Sequence, residues 1–136
     1  MNRKVIAIKP TATAREAAQI MTKYRIGSLL VMEDEKLLGI VTELDILWKI
    51  VAKNRDPETT LVNEIMTKEV ITIKPDQTLE EAAQIMVEKR IKKLPVVEND
   101  KVVGIITATD LISIQPKLIE ALAKLLLFTE KKPIAG

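Results

Sequence analysis

Residues 5–47 read VIAIKPTATAREAAQIMTKYRIGSLLVMEDEKLLGIVTELDIL, and residues 70–112 read VITIKPDQTLEEAAQIMVEKRIKKLPVVENDKVVGIITATDLI. The second stretch is the first written again 65 positions later: Pro10 falls on Pro75, Gly39 on Gly104 and Asp45 on Asp110. The register holds without a gap, and 22 of the 43 aligned pairs are identical, more than shared amphipathic patterning would produce. A period this long in a chain of 136 residues means two copies of one supersecondary unit, not a solenoid array. Polar residues that survive in both copies are therefore the first place to look for function.

Each copy opens with a β-branched run, Val5–Ile8 or Val70–Ile73, and a Lys-Pro pair then ends the strand. Thr13 with Glu16, and Thr78 with Glu81, have capping-box spacing and predict a helix start. Ala14, Ala17, Ala18 and Met21 recur at helical spacing, as do Leu79, Ala82, Ala83 and Met86, so each helix has one apolar stripe for the core. Leu29–Met32 and Leu37–Val41 then read as a hairpin around the polar stretch 33–36. Leu94–Val97 and Val102–Ile106 repeat it around 98–101. A second helix begins at Thr42 or Thr107, and in copy one Leu44, Leu47, Trp48 and Val51 line one of its faces.

The order is β-α-β-β-α, twice. This predicts an α/β (α+β) fold of two pseudo-symmetric repeats packed together, plus a C-terminal helix. Repeat one is expected at 1–54, a connection at 55–63, repeat two at 64–115, and the helix and tail at 116–136. The connecting stretch Asn54–Asn63 holds the turn-forming Asp56-Pro57 and is too short to be a loose tether. Pro116 suits the first turn of the last helix, Lys117–Phe128. That helix is apolar around much of its circumference, which fits either closing its own core or meeting a second subunit.

Composition removes several function classes. Hydrophobic residues make up 47% of the chain, yet Tyr24, Trp48 and Phe128 are its only aromatics, so the core is aliphatic. A net charge of +2, from 21 basic and 19 acidic residues, argues against a nucleic-acid partner. With no cysteine or histidine there is no disulfide, thiolate nucleophile, imidazole base or Cys/His zinc site. No Gly-rich phosphate cradle or paired-carboxylate cleft is apparent, so neither catalytic nor metal-binding residues are expected. No apolar run nears the roughly 18 residues of a membrane span, and the N-terminal run is too short for a signal peptide. The expected address is cytoplasmic, with no membrane partner.

Two stretches carry chemistry: Gly39–Asp45 and Gly104–Asp110, each Gly-h-h-Thr-x-x-Asp with h apolar, at the end of a strand and the start of a helix. Amides at a helix start favour an anion such as phosphate. The threonine hydroxyl can cap the helix or donate to a phosphate oxygen. The aspartate offers two acceptor oxygens to the vicinal hydroxyls of a ribose. Thr-x-x-Asp is also the spacing of a capping box, so the pair can equally serve only to secure the helix. Copy two places Lys92-Lys93 before its central strand, with the right charge for phosphate. Copy one has Gly27-Ser28 there, small enough for a flat ring to approach the backbone.

The doubled unit, its Lys-Pro openings, the strand R-I-K-K-L-P-V-V at 90–97, and the Gly-h-h-Thr-x-x-Asp closes resemble a pair of cystathionine-β-synthase (CBS) domains, the Bateman module. The resemblance covers residues 5 to about 112, and Glu64-Ile65-Met66-Thr67 resembles the family's usual lead-in to a repeat. It implies a non-catalytic regulatory module that binds AMP, ADP, ATP or S-adenosylmethionine in the cleft between the repeats and signals to a regulated protein, not identified by the sequence. It implies ribose contacts from Asp45 and Asp110, and phosphate contacts from Thr42, Thr107, Thr109, Lys92 and Lys93. The adenine would be sandwiched by Ile6, Ala7, Ile8, Gly27 and Ser28 in one site, and by Ile71, Thr72, Ile73 and Pro95 in the other. A homodimer with helices at its interface is also implied. Because copy one has Gly27-Ser28 for Lys92-Lys93, and Leu44 for Thr109, the Asp110 site is expected to favour a phosphorylated nucleotide. The Asp45 site is expected to be weaker or vacant. The rival reading is a structural dimerisation or scaffold module with degenerate, empty clefts.

Overall fold

Residues 5–126 are described by a computed structural model, and they divide into two compact units, Val5–Val70 and the segment from Ile71 onward. Five strands and six α-helices are formed among the described residues, a mixed α/β fold in which the first unit carries the β-α-β-β-α repeat and the second carries it with its opening strand reduced to a single bridge.

In the first unit β1 (Ala7–Ile8) is followed by α1 (Ala14–Tyr24), β2 (Ser28–Glu33) and β3 (Lys36–Thr42). β1 pairs parallel with β2, Ala7 beside Leu30 and Ile8 beside Val31, and β2 pairs antiparallel with β3. The Thr13 hydroxyl accepts from the Glu16 amide at 3.1 Å and starts α1 as its spacing requires. At the other end Arg25 takes a left-handed conformation, φ 54°, and its N–H returns to the last turn. α1 buries Ala14, Ala17 and Met21 against Leu29, Val31 and Val41.

The hairpin turn is tighter than the four polar residues suggest. Strand pairing continues to Glu33 opposite Lys36, leaving Asp34 and Glu35, both at positive φ, as a two-residue loop. That geometry matches the right-handed twist of the flanking strands. Asn99 and Asp100 make the same turn in the second unit.

After β3, α2 (Glu43–Asp45) runs straight into a π-helical segment, Ile46–Val51. Its buried side is Asp45 and Ile50, with Ile46 packed against the core. Leu44, Leu47, Trp48 and Val51 do share a face, and it is the outward one: they are 46, 52, 59 and 65% exposed. α3 (Val62–Ile65) then returns to the same unit, burying Val62 and Ile65 completely. The stretch resembling a lead-in to repeat two is thereby stitched to repeat one. Thr67 and Ile40 exchange backbone hydrogen bonds of 2.8 and 2.9 Å. Gly39 permits this closeness, since a Cβ there would lie 2.7 Å from the Thr67 carbonyl oxygen.

The second unit repeats the plan with α4 (Leu79–Lys89), β4 (Lys93–Glu98), β5 (Lys101–Thr107) and α5 (Ala108–Ile114). The run Val70–Ile73 is expected to be a strand, but only Ile73 pairs, bridging parallel to Val96. Both opening runs stop at Lys-Pro, where proline has no N–H to extend a ladder, and the residues that stay unpaired are those upstream, Val5–Ile6 and Val70–Thr72. A 3₁₀ turn, Pro116–Leu118, leads into α6 (Ile119–Leu126). Leu118, Leu122 and Leu125 are buried in the unit's own core beside Met86, Leu94 and Leu111. The terminal helix therefore closes its own repeat with that face; Leu127 and Phe128, the last residues of its expected span, lie outside the described residues.

Candidate functional site

The two Gly-h-h-Thr-x-x-Asp stretches become two strand-to-helix junctions. In both, the capping box is real. The Thr42 hydroxyl accepts from the Asp45 amide at 3.2 Å while Asp45 Oδ2 accepts from the Thr42 amide at 2.9 Å. The Thr107 hydroxyl accepts from the Asp110 amide at 3.0 Å, and Asp110 Oδ2 accepts from the Thr107 amide at 3.1 Å. One oxygen of each aspartate and one lone pair of each threonine thus hold the helix start. The remaining aspartate oxygen decides what else each junction can do.

That oxygen is spent differently in the two copies. Asp45 is 5% exposed, and its Oδ1 lies 2.9 Å from Lys49 Nζ. Lys49 also donates to the Ile65 carbonyl at 2.8 Å, so the ammonium is held from two sides. At the position aligned with Lys49, repeat two has Ile114, which is 54% exposed. Asp110, half-buried, therefore lacks the partner that Asp45 has.

The strands bring further residues to each junction. In repeat one Ser28 pairs with Thr42, and the Gly27 carbonyl accepts from the Glu43 amide at 3.0 Å. In repeat two Lys93 pairs with Thr107, and the Lys92 carbonyl accepts from the Ala108 amide at 2.9 Å. Gly27, Ser28, Thr42 and Asp45 are thus gathered in one junction, and Lys92, Lys93, Thr107 and Asp110 in the other. Lys92 is exposed, whereas Lys93 is half-buried and desolvation pushes its ammonium below the usual lysine range. Thr109 lies exposed in the first turn of α5, its carbonyl accepting from the Ser113 hydroxyl.

Among the residues expected around adenine, Ile8 and Ile73 send their side chains into the cores of their own repeats. Only their backbone is left to meet a ring. Ile6, Ile71 and Thr72 are exposed, and Ala7 is half-buried. Pro95 is buried, one position from the core residues Leu94 and Val96 and so on the opposite strand face, shared with Lys93. Its carbonyl accepts from the Ile73 amide at 3.0 Å.

Two residues of the repeat-one junction escape the motif reading. Lys49 is found by asking which charge stands four residues after Asp45 on a helix. Glu43 is found by comparing it with Ala108, its aligned counterpart. The Glu43 carboxyl carbon would lie 3.2 Å from a Cβ placed on Gly27, so this carboxylate covers the glycine that stands where repeat two has Lys92. Gly27 and Glu43 line an open cavity of about 440 Å³ with Met21, Arg25, Ile26 and Ile46. Among the described residues no cluster of carboxylates is arranged to hold a metal, and no helix is long and apolar enough to cross a membrane.

Fold and paired junctions define a duplicated α/β module. A sequence profile of the CBS domain matches it twice, at residues 1–52 and 62–117, and the chain belongs to that family as a tandem pair. It is 35% identical over 111 residues to the CBS domain-containing protein YhcV of Bacillus subtilis, covering 82% of this chain and 79% of that one. It is 38% identical over 119 residues to the uncharacterised protein MK0525 of Methanopyrus kandleri, where the match spans 86% of this chain but only 61% of the relative. The crystal structure of the CBS domain protein NE2398 superposes with a TM-score of 0.75 at 37% identity, over 83% of this chain and 89% of that one.

Proposed function

We propose that this chain is a non-catalytic sensor of an adenosine-containing ligand, AMP, ADP, ATP or S-adenosylmethionine, that signals to a protein partner. The supporting observation is the repeat-two junction. There Asp110 secures its helix with Oδ2 and has no lysine four residues on to take its other oxygen, in a junction that also gathers Lys92 and Lys93, while Asp45 in repeat one has its second oxygen on Lys49. In this reading Asp110 binds the ribose, Thr107, Thr109, Lys92 and Lys93 meet the phosphates, and the strand segments at Ile71–Ile73 and Pro95 receive the adenine. Asp45, Thr42, Ile6, Ala7, Ile8, Gly27 and Ser28 form the lesser counterpart. The domain bounds read from the sequence, and a cytoplasmic address, go with this proposal.

The working unit is a homodimer. Its support is the outward apolar face of Leu44, Leu47, Trp48 and Val51, a contiguous patch of a kind that marks an interface. The rival reading, a scaffold with empty clefts, draws on the same capping boxes, because Thr42, Asp45, Thr107 and Asp110 all have structural work.

A thermal-shift panel with AMP, ADP, ATP, S-adenosylmethionine and GTP separates the two. A ligand bound only by the folded chain adds about 2.7 kcal/mol at a hundredfold excess over its Kd. A rise with an adenosine compound and none with GTP is the sensor's outcome. No rise at millimolar concentration with any of them refutes it and leaves the scaffold.

A further inference from the structure

We infer that Lys49 and Glu43 close the repeat-one junction to phosphorylated nucleotides, so that each chain holds one nucleotide, in repeat two. The inference rests on the sensor reading above and names the residues that set its stoichiometry. A ribose at Asp45 must compete for a carboxylate oxygen already 2.9 Å from an ammonium, in a side chain 7% exposed. That ammonium is also anchored on the Ile65 carbonyl, so it does not swing aside without losing a second hydrogen bond. A phosphate meets the opposite obstacle. Where repeat two offers the Lys92 ammonium, repeat one has a glycine with the Glu43 carboxylate lying against it. The exchange is coordinated: Gly27 goes with Glu43, and Lys92 goes with the small, buried Ala108. Lys49 and Glu43 thus give repeat one an internal cation where a ligand's hydroxyls belong and an internal anion where its phosphate belongs.

The test is calorimetric titration of the full chain with AMP, ADP and ATP in turn, for the wild type and for the triple variant Gly27→Lys, Glu43→Ala, Lys49→Ile, which writes repeat two's residues into repeat one. One site in the wild type and one more in the variant is the expected result. Two sites in the wild type, or no gain in a variant that melts cooperatively, overturns the inference. A wild type that binds none of the three counts against nucleotide sensing; the gain or absence of a site in the variant still decides this inference. Should the triple variant not fold, Ile114→Lys makes the reciprocal change at an exposed position. An ammonium brought to Asp110 should weaken binding about fivefold, the upper range for a partly exposed pair, and unchanged affinity overturns the inference.

Discussion

Asp110 has two jobs on two different oxygens, and two substitutions take them apart. Asp110→Ala removes the acceptor for the Thr107 amide, now 3.1 Å away, and so removes half of a capping box. Loss of such a cap costs about 1 kcal/mol, which for a chain of this size lowers Tm by about 4 °C. Asp110→Asn keeps an oxygen for that amide, so its Tm should stay within about 1 °C of wild type. Both lose the charged acceptor offered to a ribose. A hydrogen bond to a charged group contributes about 1.5–3 kcal/mol, so nucleotide affinity should fall about tenfold to a hundredfold in each. Calorimetry for affinity and thermal denaturation for stability, on the same preparations, give four numbers. If Asp110→Asn binds as the wild type does, Asp110 does not hold the ribose. If Asp110→Ala melts with the wild type, the cap is not structural.

Gly39→Ala drives a methyl onto the Thr67 carbonyl and the Met66 sulfur, 2.7 and 2.8 Å away, and should cost about 2–4 kcal/mol by overpacking and weakened hydrogen bonds. Urea denaturation reads this as a lower midpoint with an unchanged slope. Leu47→Glu, on the exposed face of the π-helical segment, should convert a dimer to monomers in sedimentation velocity while changing monomer stability by no more than about 0.5 kcal/mol. An unaltered sedimentation coefficient rejects that face as the interface. Burial holds the Lys93 pKa below the ordinary 10.5. The folded chain therefore binds fewer protons than the unfolded one in that interval, and this group makes stability rise with pH through it. A bound phosphate would restore the proton. Affinity for ATP should thus decline with rising pH earlier than an unperturbed lysine would make it, and Lys93→Arg should move the decline beyond reach.

The duplication, the helix caps and the hairpins were legible because each depends on neighbours in the chain: a threonine and the glutamate or aspartate three residues on, or two short apolar runs around a polar turn. Less was legible where distant partners decide. Val70–Ile73 has strand composition, yet only Ile73 finds a partner. The stripe of Leu44, Leu47, Trp48 and Val51 was readable as a face, but not as the outward one. Ile50 turns inward into one core with Val62 and Ile65 of α3, more than ten residues later, and Asp45 is tied to the same helix through Lys49. Of the site, the Thr-Asp pairs stand out in the sequence, and their spacing is itself that of a capping box. Lys49 did not stand out, because its importance depends on the Ile65 carbonyl, 16 residues away. Glu43 gains meaning only beside Gly27.

Trp48 is the only tryptophan in the chain, 59% exposed and three residues from Asp45; Tyr24 also belongs to repeat one, and Phe128 barely fluoresces. Repeat two has no aromatic residue in 70–112. The unlabelled protein is therefore an optical instrument with its lamp in one half and, on the reading above, its trigger in the other. Emission that moves when nucleotide fills the Asp110 junction would be a message passed from one repeat to its twin, and emission that stays still would mean that the two halves keep separate counsel.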